Sequence, residues 1–318
     1  MLEVQHLVKR YGSKTAVEDL TFTIQDTGVY GLLGPNGAGK STTMNIITGY
    51  ISATSGTVLV QGQDIVAQAA AAKRCIGYLP EQPPLYPDMT VEEYLRFAAE
   101  LKGVRPKTAR CEAVQAVCDR VGLQGTGRRL IGNLSKGYRQ RVGIAAALLG
   151  EPKIIILDEP TVGLDPAQVL EVRSLIRELG KTHTVILSSH ILSEVQSICD
   201  DVLILAHGKL IARGTPHELA QRLSAKGSIS ATAQGSREDV LRAAAGVAGL
   251  QNITVTAEEN GEISFTAESA AGADLRGALS QALAAAGCPV LRLSAQTASL
   301  EDVFLQLTDG APAKEEQL

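Results

Sequence analysis

Eight residues limit what this chain can become: Gly34-Pro35-Asn36-Gly37-Ala38-Gly39-Lys40-Ser41. They keep the spacing G-x-x-x-x-G-K-[ST]. The apolar run Val29-Tyr30-Gly31-Leu32-Leu33 precedes them, and a helical stretch over 40–48, closed by Gly49, follows. A glycine-rich turn between strand and helix lets backbone N–H groups curl around phosphate oxygens that a Cβ would obstruct. The helix N-terminus adds its partial positive charge. Lys40 is expected to reach the β- and γ-phosphates of a nucleotide and the Ser41 hydroxyl to hold Mg²⁺, with Thr42 next in the same first turn.

A second feature supplies acids. Ile154-Ile155-Ile156-Leu157-Asp158-Glu159 is a buried strand followed by two carboxylates. In a parallel sheet ligands bind beyond the carboxyl ends of the strands, so the two acids emerge where a ligand sits. Asp158 suits a metal ion held through water, and Glu159 suits a general base that polarises an attacking water. An acidic pair at a strand end is common by chance; the phosphate loop upstream gives this one its meaning. Val185-Ile186-Leu187-Ser188 reads as a neighbouring buried strand. It would bring His190 close to the γ-phosphate, although a lone His after a strand also serves as a structural residue.

The wider composition excludes several classes. With 318 residues, 45% of them apolar, the chain can bury the cores of two domains. A net charge of -4 and 3% aromatic residues with no Trp disfavour a nucleic-acid surface. The five cysteines form no Cys-x-x-Cys pair, as expected of thiols in a reducing compartment. The start, Met1-Leu2-Glu3-Val4, reads as a strand rather than a signal peptide, and no window approaches the ~20 apolar residues of a membrane span. A soluble chain is expected, reaching a membrane only through a partner.

Short strands at 2–7, 20–24 and 57–60 surround the phosphate loop. Helices over 90–101, 107–121 and 135–149 make residues 88–150 a helical subdomain. A helix over 167–179 and a hairpin of 202–206 with 209–212 complete a first domain, 1–222. Beyond it the order strand 229–233, helix 237–248, strand 253–257, strand 262–267, helix 275–286, strand 290–293 is the split-βαβ pattern. It makes 223–310 a ferredoxin-like accessory domain with a last helix at 300–307, followed by a polar tail, 311–318. The fold class is therefore α/β, a P-loop NTPase core with a helical subdomain and a small α+β C-terminal domain.

Leu134-Ser135-Lys136-Gly137-Tyr138-Arg139-Gln140-Arg141 looks like the signature Leu-Ser-Gly-Gly-Gln of the ABC ATPases, the nucleotide-binding subunits of ATP-binding-cassette transporters. The resemblance covers about residues 2–220, with each expected motif in order. It implies ATP and Mg²⁺ as ligands and a head-to-tail pair of cassettes. Each ATP would then lie between Lys40, Asp158, Glu159 and His190 of one chain and Ser135, Gly137 and Asp165 of the other. Tyr11 matches the aromatic that stacks on adenine, and it also reads as an ordinary surface Tyr. Asp165 matches the loop that crosses the dimer, and before Pro166 it also suits a helix N-terminus. Lys136 and Tyr138 depart from the signature, and Lys136 is expected to face solvent. In Ile76-Gly77-Tyr78-Leu79-Pro80-Glu81-Gln82, the family's metal-contacting Gln falls by count on Glu81, or on Gln82 if the loop shifts by one.

Within the family, Gly77-Tyr78-Leu79-Pro80-Glu81, the 90–101 stretch and Leu300-Glu301-Asp302-Val303-Phe304 look most like bacterial ABC-2-type exporter ATPases, which include drug-resistance and gliding-associated systems. That implies a membrane permease partner, a second ATPase subunit, no nucleic acid, and a cytoplasmic place on the inner face of the membrane. A soluble ABC ATPase acting on ribosomes or DNA is the alternative. The single phosphate loop and the short distance from Ser41 to Leu134 count against it.

Overall fold

The computed structural model describes residues 1–189, 191–223, 227–259, 261–269 and 274–296. Two compact units are present, Met1–Pro216 and a second beginning at His217. The first opens with β1 (Leu2–Tyr11) and β2 (Lys14–Ile24), then β3 (Gly28–Leu33), α1 (Lys40–Ile47), β4 (Ser55–Val60), β5 (Gln63–Asp64), α2 (Ala69–Arg74) and β6 (Ile76–Leu79). Three helices follow: α3 (Val91–Leu101), α4 (Lys107–Arg120) and α5 (Lys136–Leu148). It continues with β7 (Ile154–Asp158), α6 (Pro166–Gly180), β8 (Thr184–Ser188), α7 (Leu192–Ile198), β9 (Asp201–Ala206) and β10 (Lys209–Gly214). Helix α8 (Pro216–Leu223) begins where the first unit ends.

Six strands form the central sheet in the order β10-β9-β3-β8-β7-β6. All neighbours pair in parallel except β10, which returns antiparallel along β9. Strands β3, β7 and β8 are buried at every residue, because helices or the second sheet cover both faces. That second sheet is antiparallel, in the order β2-β1-β4-β5. Leu2, Val4, Leu20 and Ile24 from it share one core with Met44 and Ile47 of α1 and Ile154, Ile156 and Leu203 of the large sheet. The phosphate loop thus springs from the centre of the molecule's most buried layer.

Helices α3 and α5 start close to where the sequence places them, and side-chain caps set those starts, whereas α4 has none. Thr90 caps α3 in a full capping box with Glu93. Ser135 caps α5 by accepting from the Tyr138 N–H. The sequence reading passes over β6 and α7. Strand β6 is four residues long, lies at a sheet edge and contains Gly77, a weak strand former. A Cβ at Gly77 would lie 2.3 Å from the Ala147 carbonyl oxygen, so the close approach of α5 explains the glycine.

The second unit contains β11 (Gly227–Gln234), α9 (Arg237–Ala245), β12 (Leu250–Glu259), β13 (Glu262–Ser269), α10 (Arg276–Ala285) and β14 (Val290–Gln296). The sheet order β12-β13-β11-β14, antiparallel throughout, is the split-βαβ arrangement. Ile229, Ala231, Ile263 and Phe265 pack with Val240 of α9 and Leu279 and Leu283 of α10. The helix expected at 300–307 lies outside the described residues.

Candidate nucleotide site

Between β3 and α1 the chain turns tightly. Gly39 has φ +99, and a Cβ there would lie 2.5 Å from the Ala16 carbonyl oxygen of β2, so backbone and packing both demand glycine. The turn is tied at both ends: the Ala38 N–H donates to the Pro35 carbonyl at 3.1 Å, and the Gly208 N–H donates to the Ala38 carbonyl at 3.1 Å. Asn36, Gly37 and Ser41 are exposed, and Lys40 is buried. The Lys40 ammonium folds across the loop and donates to the carbonyls of Gly34 (2.6 Å) and Pro35 (3.1 Å). Burial pushes its pKa down, while the Glu159 and Asp158 carboxylates pull the other way. Lys40 therefore shares one electrostatic neighbourhood with both acids.

Those acids end β7, level with the end of β8: Asp158 pairs with Ser188 in the parallel register. The Ser188 hydroxyl is wholly buried and donates to the Asp158 carboxylate. The same oxygen accepts the Glu159 N–H at 3.0 Å. Glu159 has φ 48, the left-handed region that costs a non-glycine residue of order 1 kcal/mol or more and clusters at functional sites. Ser188 thus holds a strained backbone turn and a carboxylate together. The sequence reading places Ser188 inside its strand; a small hydroxyl residue closing the apolar run Val185-Ile186-Leu187 is its signal. His190 lies outside the described residues.

The remaining expected residues take up other positions. Glu81 and Gln82 are both exposed in the bend after β6, on the same side of the sheet as the end of β7, since Leu79 pairs with Leu157. Tyr11 ends β1 half-exposed, with the Lys9 ammonium 5.0 Å from its ring centre. Its hairpin partner β2 contributes Ala16, the residue against Gly39. Asp165 caps α6, accepting the Gln168 N–H at 2.9 Å with Pro166 at the first helical position.

Ser135 and Gly137 begin α5 beside the start of α6. The Gln168 side chain fills the space a Cβ at Gly137 would need, the amide oxygen coming within 2.4 Å of that position. Lys136 is exposed, and its ammonium occupies the space a Cβ at Gly163 would need. The signature segment meets the start of α6 and the loop before it through Gln168 and Lys136. Oxygen donors predominate in the Lys40–Asp158–Glu159–Ser188 group, a chemistry that suits a hard cation such as Mg²⁺. Among the described residues no group of three or more His, Cys, Asp or Glu side chains is gathered to hold a metal by itself.

A family model described as ABC transporter matches residues 17–162. The linearmycin resistance ATP-binding protein LnrL of Bacillus subtilis (strain 168) is 35% identical over 97% of this chain and 98% of its own length. The bacitracin transport ATP-binding protein BcrA of Bacillus licheniformis is 40% identical over 66% of this chain and 68% of its own. Among solved structures, an ATP-binding subunit of an ABC transporter superposes with a TM-score of 0.64 at 32% identity, covering 70% of this chain and 93% of that one. This chain belongs to the ABC transporter family, among its ATP-binding and ATP-hydrolysing subunits.

Proposed function

We propose that this chain drives an exporter of the ABC-2 type, pairing with a second ATPase subunit and a membrane permease. The observation that carries this is similarity along nearly the whole chain to a linearmycin resistance ATP-binding protein, supported by the bacitracin and lantibiotic transport relatives. Relatives of that kind favour transport over work on ribosomes or DNA. No helix among the described residues is long and apolar enough to cross a membrane, so the permease supplies the spans and holds this chain at the cytoplasmic face.

In this reading Gly34 to Thr42 cradle the phosphates, Lys40 exchanges its bonds to Gly34 and Pro35 for phosphate oxygens, and Tyr11 stacks on adenine. Mg²⁺, when bound, neutralises charge on the phosphates, with Ser41, Asp158 and Glu81 as its protein contacts. Glu159 takes a proton from the attacking water, held in position by the turn that Ser188 ties, and His190 sits by the γ-phosphate. Ser135, Gly137 and Asp165 complete the site of the other subunit. The catalytic gain is positioning and charge stabilisation. Glu159→Gln keeps ATP binding, abolishes turnover and accumulates an ATP-held dimer on a sizing column. Turnover at the wild-type rate in that variant refutes the assignment.

A further inference from the structure

A carboxylate outside this set is buried where no apolar explanation serves. Glu194, on α7, is 4% exposed. One of its oxygens accepts the Thr161 hydroxyl at 2.6 Å and the Ser189 hydroxyl at 3.3 Å. The other meets the Arg173 guanidinium of α6 at 3.0 Å. Thr161 and Ser189 are themselves buried, at 5% and 1% exposed. Burying a carboxylate is costly unless it is paired and hydrogen-bonded, and here each oxygen is engaged.

The partners are significant for where they sit. Thr161 lies two residues after Glu159, and its carbonyl accepts the Leu164 N–H, one residue before Asp165. Ser189 follows the end of β8, and its hydroxyl also accepts the Ile191 N–H at 3.0 Å. Arg173 stands two turns along the helix that Asp165 caps. One carboxylate therefore joins the loop carrying Glu159 and Asp165 to the loop leaving β8 and to the body of α6. None of the hydrogen bonds and ion pairs described for these groups reaches the phosphate loop.

We propose that Glu194 is a positioning residue for ATP hydrolysis: it locks the loop between β7 and α6 to the loop after β8, so that the two sides of the γ-phosphate site keep one register. The role rests on the nucleotide-site reading above. Because Lys40 bonds to Gly34 and Pro35 and takes no part in the tie, breaking it lowers turnover and leaves nucleotide affinity alone.

The test uses the full chain with Thr161→Val, which keeps the shape and removes the hydroxyl, Thr161→Ser, which keeps the hydroxyl, and Glu194→Gln. Steady-state ATPase kinetics, MgATP affinity by fluorescent-nucleotide binding and thermal melting are measured together. Thr161→Val and Glu194→Gln are expected to lose ten-fold or more in kcat with KM and affinity within two-fold, and Thr161→Ser to stay within three-fold of wild type. Folded Thr161→Val with wild-type kcat overturns the proposal, as does a kcat loss in Thr161→Ser equal to that in Thr161→Val. Should Glu194→Gln fail to fold, the two Thr161 variants still decide. A wild-type chain that neither binds nor hydrolyses MgATP overturns the nucleotide-site reading itself, which is a distinct result.

Discussion

Ser188 shows how much one hydroxyl can hold. It donates to Asp158 and accepts from the Glu159 N–H, so Ser188→Ala leaves a buried carboxylate short of a donor and a backbone N–H short of an acceptor. Each such loss costs about 1–3 kcal/mol, and Glu159 stands at φ 48. Ser188→Ala is expected to melt several degrees lower and to turn over ATP at least ten-fold more slowly. Melting and ATPase assays on one preparation check both. Neither this residue nor Glu194 stands out in the sequence: Ser188 meets Asp158 and Glu159 across paired strands, 30 and 29 positions away, and Glu194 on α7 meets Thr161, 33 positions away, only through tertiary packing. Lys40, Asp158 and Glu159 were legible because their chemistry is encoded in short contiguous runs beside apolar strands.

Helix α5 ends against an unexpected cation. The Lys102 ammonium, just after α3, donates to the Ala147 carbonyl near the C-terminus of α5 at 2.7 Å, a position the helix dipole favours. Burial pushes its pKa down from the usual 10.5 to about 8. A lysine whose folded pKa is depressed takes up its proton less readily in the fold than in the unfolded chain. Between about 8 and 10.5 the unfolded state binds more protons, so stability from this group rises with pH through that window. Measured against Lys102→Met, the wild type should gain stability from pH 8 to pH 10 at no more than about 1.4 kcal/mol per pH unit in denaturant titrations. Flat pH dependence of the difference refutes the burial argument. The same elements show what patterning conveys: Thr90 and Ser135 announce α3 and α5 as caps, whereas β6 is unreadable because a glycine forced by packing breaks its strand signal.

At the scale of the whole molecule, two units meet at His217 along the chain, and the solved ABC structure described above covers 70% of it. The linearmycin resistance relative matches 97% of it and so extends into the second unit. We propose that this ferredoxin-like unit, in which α9 and α10 pack on a four-stranded sheet and no group of three or more His, Cys, Asp or Glu gathers among its described residues, serves dimerisation or regulation. A chain ending at Leu223 should hydrolyse ATP with altered rate or dimerise less; sizing and ATPase assays matching the full chain would refute that. In the head-to-tail pairing proposed above, the division between Lys40, Asp158 and Glu159 on one chain and Ser135 and Asp165 on the other has a genetic consequence. In a pair of identical copies, one defective in Lys40 and the other in Ser135, both defects fall in the same composite site. The second site is then built wholly from sound halves, so two alleles that are each inactive alone complement one another.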